Sequence, residues 1–436
     1  MSARATIALL LLVVACTASS PKERPSPTLG TESPSASAAM PSPSSTPEDP
    51  AGPAANFLRL IPPPGGSFLV RGRYPFVPTR CRGAERPTLS GRFPGTLLVK
   101  RSDDGTVAIT VALPFDRYLE GIAEVPPSWP NAALEAQAIA ARSYALATTG
   151  WSGDEGESLD QPICATTSCQ VYRGIPVPPD PVHRRWVRAV RRTDGKVLLQ
   201  DGRIATTVYF STSNGRTYTN EEIFGSGPLP YLRSVAERDD GASPTSRWRV
   251  RLPFPHLAQF LRAADMWPRG RSISDVRPHG TSLTVRGGGE MRSIDTGDLR
   301  DAVNTWAPCL HPARYPPESP KGILPLTIPS RWLHLSPIED ALVVAGRGWG
   351  HGVGMVQWGA YGKARRGLSA SDILAYYYGG LRPEDHPEPG LIRVQVASGL
   401  TALRIVPSGP GAKTGGRPLD TGALRISGGE RLEVSN

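Results

Sequence analysis

Asn131-Ala132-Ala133-Leu134-Glu135-Ala136-Gln137-Ala138-Ile139-Ala140-Ala141-Arg142-Ser143-Tyr144-Ala145-Leu146-Ala147-Thr148 is the clearest helix in the chain. Alanine has the highest intrinsic helix propensity, and Leu134, Ala138, Ala141 and Ala145 recur at the spacing of one helix face. Pro130, just before it, suits a helix start, where a missing amide hydrogen costs nothing. Around this helix the chain reads as β structure. Short apolar runs at 68–70 and 96–99 precede it, with 106–111 following an Asp-Asp-Gly turn. Beyond Gln170 the pattern is again mostly β, with strands predicted at 196–199, 205–210 and 283–286. A second helix is predicted over 369–378, opened by Ser369 and Asp372 as a capping box and stopped by Gly379-Gly380. Strands at 392–396 and 403–406 read as a small C-terminal β unit over 391–436. The expected class is α+β, short strands and loops around a central Ala-rich helix with a substrate groove. The 46 glycines and 46 prolines among 436 residues exclude an all-helical bundle.

The formal charge of +10, carried mainly by arginine, favours a polyanionic partner. Nucleic acid is not expected, because the chain has no zinc-finger spacing, no recognition-helix signature and no basic stripe interleaved with aromatics. Residues 1–15 combine a charged start with an apolar stretch too short to span a bilayer, which reads as a secretion signal. It ends Val13-Val14-Ala15-Cys16 and resembles a bacterial lipobox. That resemblance implies a lipid on Cys16 that anchors the protein to the cytoplasmic membrane. An ordinary signal with a chance cysteine and a buried strand are the alternatives. Residues 16–56 form a Pro/Ser/Thr tether that is too poor in large apolar residues to fold, and a folded region is expected over 57–390. Cys81, Cys164, Cys169 and Cys309 then make an even number in a compartment where disulfides persist. Spacing does not fix connectivity; the preferred pairing is Cys164 with Cys169 and Cys81 with Cys309, although a five-residue step also suits a metal site.

Three segments combine rare residues too densely for packing alone. The first runs from Phe115-Asp116-Arg117-Tyr118-Leu119-Glu120-Gly121-Ile122-Ala123-Glu124-Val125-Pro126 through Ser128-Trp129-Pro130 into the Ala-rich helix. The second is Cys164-Ala165-Thr166-Thr167-Ser168-Cys169-Gln170-Val171-Tyr172. The third is Gly346-Arg347-Gly348-Trp349-Gly350-His351-Gly352-Val353-Gly354-Met355-Val356-Gln357-Trp358-Gly359-Ala360. Together they resemble the stage II sporulation protein D and LytB family, with a weaker match at residues 210–217 that includes Ser213. The resemblance implies that Glu124 is the catalytic residue of a peptidoglycan lytic transglycosylase. Chemistry agrees: glycosidic cleavage needs a carboxylic acid kept protonated by desolvation, and Glu124 lies in a Pro-bounded turn beside Val125 and Trp129. The competing role for Glu124 is a helix-terminal carboxylate that satisfies local amides or pairs with Arg117 or Arg142. Glu120, a turn earlier, reads as a surface charge.

Gln137, Arg142, Ser143 and Tyr144 form a polar cluster that suggests a groove-facing side of the Ala-rich helix. Arg142 then holds substrate or orients Glu124, unless it is a surface ion pair and Tyr144 a core residue. Gln170, Tyr172 and Ser213 are carried over as substrate-binding from the resemblance. The glycine-rich segment fits neither a dinucleotide nor a P-loop pattern, so phosphate cradling is not expected there. Its alternating glycines instead allow close backbone approach, while Trp349, His351, Gln357 and Trp358 offer stacking faces and amides to sugar rings. His351 could assist Glu124, ligate a metal, or hydrogen-bond across the loop. Some relatives are expected to bind zinc with a histidine before the second cysteine; Ser168 stands there in this chain, so a Cys164–Cys169 disulfide is expected, with no metal and no cofactor. The functions under comparison are a transglycosylase of peptidoglycan glycan strands, a non-catalytic glycan-binding modifier that stimulates a wall amidase, and a basic scaffold for anionic wall polymers.

Overall fold

The computed structural model of the chain describes residues 56–74, 88–151, 162–176, 180–315, 326–419 and 422–435. The expected secretion signal, the expected lipidation position Cys16, the expected tether up to residue 55 and Cys81 lie outside the described residues. The fold is α+β. Its centre is a seven-stranded sheet in which Val107–Pro114 is flanked by Thr96–Arg101 and Leu391–Leu400, both antiparallel to it. Val107, Ile109, Val111 and Leu113 alternate along that strand and are all fully buried, as the two-residue period of a pleated strand requires. A second, five-stranded sheet places Ser67–Arg73 between Thr88–Pro94 and Ala402–Pro407. Phe68, Val70 and Ile405 from it join Leu97, Ile109 and Val394 from the first sheet in one core.

The expected C-terminal β unit therefore does not stand apart. Leu391–Leu400 hydrogen-bonds to Val107–Pro114, and Ala402–Pro407 to Ser67–Arg73, so these strands complete sheets begun near the start of the folded region. Their inward apolar residues Ile392, Val394, Leu403 and Ile405 would otherwise face water.

The Ala-rich helix spans Asn131–Thr149 and ends on Gly150 in the left-handed conformation. It is buried on more than one face. Leu134, Ala138, Ala141 and Ala145 pack into the sheet core, while Ala136, Ile139 and Ala140 pack into a second cluster with Phe210, Val356, Ile373 and Tyr377. Small side chains suit a helix that neighbouring elements approach closely from two sides. The second predicted helix is Ala370–Tyr377, with the Ser369 hydroxyl accepting from the Asp372 amide.

The reading of the chain beyond Gln170 as mostly β needs correction. Helices His183–Arg192, Phe254–Ala263, Thr296–Leu310 and Gln357–Arg365 lie there too. Two of them, Phe254–Ala263 and Thr296–Leu310, pack with Trp248–Pro253, Ser282–Gly287 and Ala341–Gly346 around a separate apolar cluster. The predicted strand at 205–210 is reduced to Tyr209–Phe210, paired in parallel with Met355–Val356. That short pairing joins the middle of the chain to the glycine-rich segment.

Candidate active site

Glu124 follows the short helix Phe115–Glu120 and is held by the loop 164–172. The Ala123 amide donates to the Val171 carbonyl at 2.8 Å, and the Val171 amide donates back to Glu124 Oε1 at 2.6 Å. The Cys164–Cys169 disulfide, with Cα atoms 5.5 Å apart, closes that loop. Cys309 is also disulfide-bonded; its expected partner Cys81 lies outside the described residues.

Glu124 opens into a cleft of about 550 Å³. Trp129, Tyr144, Phe224, Trp349 and Trp358 supply aromatic lining, and Thr167, Ser168 and Cys169 bring the disulfide loop to it. Glu124 is the one carboxylate in that lining among the described residues. Burial raises its pKa above the ordinary carboxylate range, opposed by hydrogen bonds from the Val171 amide and the Gln357 and Tyr209 side chains and by the charge of Arg173.

Behind the carboxylate lies a chain of buried donors. The Tyr118 hydroxyl donates to Gln170 Oε1 at 2.6 Å, and Gln170 Nε2 donates to the Tyr209 hydroxyl at 2.9 Å and to the Ala141 carbonyl at 3.0 Å. This orders Tyr209, which then donates to Glu124. On another side Gln357 Nε2 donates to Gln137 Oε1 at 3.3 Å, tying the start of helix Gln357–Arg365 to the Ala-rich helix.

The glycine-rich segment wraps the far wall. Gly354 has φ +76°, and a Cβ there would lie 2.0 Å from the Val208 carbonyl oxygen, so only glycine fits. Within this segment the Trp349 backbone pairs with Thr212 in both directions. His351 Nε2 donates to the Tyr209 carbonyl at 2.9 Å, and its Nδ1 accepts from the Val353 amide at 3.1 Å. Accepting at Nδ1 requires the neutral ring, and burial lowers the His351 pKa to about 4. With both nitrogens engaged, His351 staples the loop to the strand that carries Tyr209.

Of the candidate site residues singled out from the sequence, Glu124, Tyr144, Trp349, His351, Gln357 and Trp358 line the cleft. Gln137 and Gln170 sit one layer behind and position its walls. Arg142, Ser143, Tyr172 and Ser213 do not line it. Arg142 is fully buried, pairs with Glu388, and donates to the Val190 and Lys196 carbonyls, facing away from the cleft. Ser143 donates to the Ile139 carbonyl and accepts from the Leu198 amide. Tyr172 packs its ring against Phe93 and Tyr118, closing over Gly121. Ser213 donates to Asp240 Oδ2 at 2.8 Å in a buried turn. Glu120 is not a surface charge either; it is largely buried and pairs with Arg117 at 2.8 Å and Arg191 at 3.0 Å.

The sequence reading missed Tyr209, Phe224 and Pro244 as lining residues. Only the position of Tyr209 next to the weakly matching 210–217 run hinted at its part. Among the described residues no three His, Cys, Asp or Glu side chains converge on a possible metal position. The disulfide occupies both thiols that a zinc site would have used.

Residues 103–199 match the family model for stage II sporulation protein, a span that holds Glu124, the Ala-rich helix and the disulfide loop. An uncharacterized protein of Brachyspira hyodysenteriae is 28% identical over 307 residues, covering 69% of this chain and 74% of that protein. Stage II sporulation protein D of Bacillus amyloliquefaciens is 27% identical over 322 residues, covering 69% of this chain and 81% of that protein. The amidase enhancer of Bacillus subtilis is 28% identical over 292 residues, covering 59% of this chain but only 38% of that longer protein. Through the matched span and these relatives, the chain is similar to stage II sporulation protein D.

Proposed function

We propose that this protein is a lytic transglycosylase that cleaves the glycan strands of peptidoglycan in the cell envelope. The observation that carries the reading is a single cleft carboxylate, Glu124, with a raised pKa and fixed donors around it, between aromatic walls suited to sugar rings. Hydrolytic glycosidases use two carboxylates flanking the scissile bond, and this cleft offers one among the described residues. One suffices when no water is consumed. Protonated Glu124 gives its proton to the glycosidic oxygen as the C1–O bond breaks. The resulting carboxylate takes the proton of the muramic 6-hydroxyl while that oxygen bonds to C1, leaving a 1,6-anhydro end and restoring the acid. Burial favours the protonated form of Glu124 for the first step, and the Val171, Tyr209 and Gln357 donors support its charge in the second.

The envelope setting extends the reading. The secretion signal and lipobox-like run place the folded region outside the cytoplasmic membrane, tethered by lipid on Cys16, within reach of the wall. A second reading is favoured by the similarity to an amidase enhancer: the cleft grips glycan without cutting it and the protein stimulates a wall amidase. Incubation of the purified protein with intact and with peptide-stripped glycan separates the two. Release of anhydro-ended fragments by wild type but not by Glu124→Gln supports cleavage. Glycan binding with no fragments from either protein supports the modifier.

A further inference from the structure

Outside the cleft, helix His183–Arg192 carries Arg184, Arg185, Arg188, Arg191 and Arg192 in ten residues. Its opposite side is fixed in the core by Trp186, Ala189 and Val190, with the Trp186 indole donating to the Leu119 carbonyl at 2.9 Å. The arginines are thus presented rigidly. Arg191 pairs with Glu120 at 3.0 Å and Arg192 approaches Glu135 at 3.6 Å. Arg188 is exposed and has no carboxylate partner among the described residues. All four of its helical neighbours at i±3 and i±4, Arg184, Arg185, Arg191 and Arg192, are arginines. Like charges at those spacings destabilise a helix. Glu120 and Glu135 offset part of that repulsion at Arg191 and Arg192, but no carboxylate among the described residues offsets it at Arg188, and a local rule broken there points to a function.

A hollow of about 300 Å³ lies beside that arginine, lined by Asn131, Glu135, Arg185, Arg188, Ala189 and Arg192. Arg185 is held in place by the Trp129 carbonyl at 2.9 Å and Asn131 Oδ1 at 3.4 Å. Against these three guanidinium groups stands one carboxylate, Glu135, so the hollow is net cationic. Several guanidinium forks offer more N–H donors than one carboxylate can accept, whereas the oxygens of a phosphoryl group can take bidentate bonds from more than one fork.

We infer that the hollow around Arg188 is a binding site for a phosphoryl oxyanion, separate from the cleft and from the proposed glycan chemistry. The phosphate comes from a phosphodiester polymer of the wall or from a phospholipid headgroup. Both present the same group to the same arginines.

The test titrates the full mature protein at low ionic strength with inorganic phosphate and glycerol 3-phosphate, by calorimetry. Wild type binds both, acetate at equal concentration does not compete, and Arg188→Gln weakens binding at least fivefold while Arg188→Lys retains part of it. Arg188→Gln also unfolds at an equal or higher temperature, because it relieves repulsion, and its behaviour toward glycan in the cleft is unchanged. Two further arms, soluble poly(glycerol phosphate) and phosphatidylglycerol vesicles, each compared with Arg188→Gln, identify the source by which loses affinity. Equal phosphate affinity in wild type and Arg188→Gln, or equal competition by acetate, overturns the proposal. Loss of glycan cleavage in Glu124→Gln leaves it untouched.

Discussion

Replacing Arg142 by alanine separates a structural from a substrate-binding role. The guanidinium is fully buried, pairs with Glu388, and donates at 3.3 Å to both the Val190 and Lys196 carbonyls and at 3.4 Å to the Thr193 hydroxyl. These long hydrogen bonds are individually weak, so the ion pair dominates. The Glu388 side chain keeps 19% exposure, which lets water relieve part of its charge once the arginine is gone. Breaking a buried pair from one side costs about 3–5 kcal/mol, and the exposure of Glu388 puts the expectation at the lower end, about 3 kcal/mol. That is a large share of the 5–15 kcal/mol or so that stabilises a typical domain. Urea unfolding followed by tryptophan fluorescence measures it. Arg142→Ala together with Glu388→Leu, which leaves no unpaired charge, recovers a large part of the loss. Under conditions where Arg142→Ala is still folded, its glycan affinity matches wild type. Unchanged stability with lost glycan affinity would instead assign Arg142 to the substrate.

Glu124→Gln abolishes cleavage by roughly 100-fold or more, the contribution of a general acid, without lowering thermal stability at neutral pH. The sign follows from its raised pKa: the relative stability of the folded state is present below the unfolded carboxylate value and is lost as pH rises through the folded value, and glutamine removes that loss. Tyr209→Phe removes a donor that lowers the Glu124 pKa, so the alkaline limb of the pH–rate profile moves upward; a downward or absent shift contradicts the assignment. Replacing Cys164 and Cys169 by serine frees the loop that presents the Val171 amide. It costs about 2 kcal/mol of stability by loop-closure entropy and lowers turnover severalfold, readable by comparing unfolding midpoints with rates on stripped glycan.

The parts of this fold readable from sequence are those set by local chemistry. The Ala-rich helix, its Pro130 start and the Ser369 cap depend on residues within a few positions of one another. The disulfide between Cys164 and Cys169 and the lining role of Trp349 and Gln357 likewise followed from compact motifs. What was misread depends on distant partners. Polar residues on the Ala-rich helix suggested a groove, but Arg142 meets Glu388 far along the chain and Ser143 meets Leu198. Strand periodicity near 391–407 was recognisable, yet nothing local shows that those strands pair with 107–114 and 67–73. The Arg-rich helix escaped notice because its apolar face is only Trp186, Ala189 and Val190, interrupted by charge at nearly every other position.

In the proposed reaction Glu124 drives an intramolecular displacement without water. Cleavage of peptide-stripped glycan in water enriched in the heavy oxygen isotope tests it most directly, with fragment ends resolved by mass spectrometry. Anhydro ends one water lighter than reducing ends are expected, with no isotope incorporated, and no such ends from Glu124→Gln. Reducing ends carrying the heavy isotope, or anhydro ends released by Glu124→Gln at the wild-type rate, would contradict this reaction.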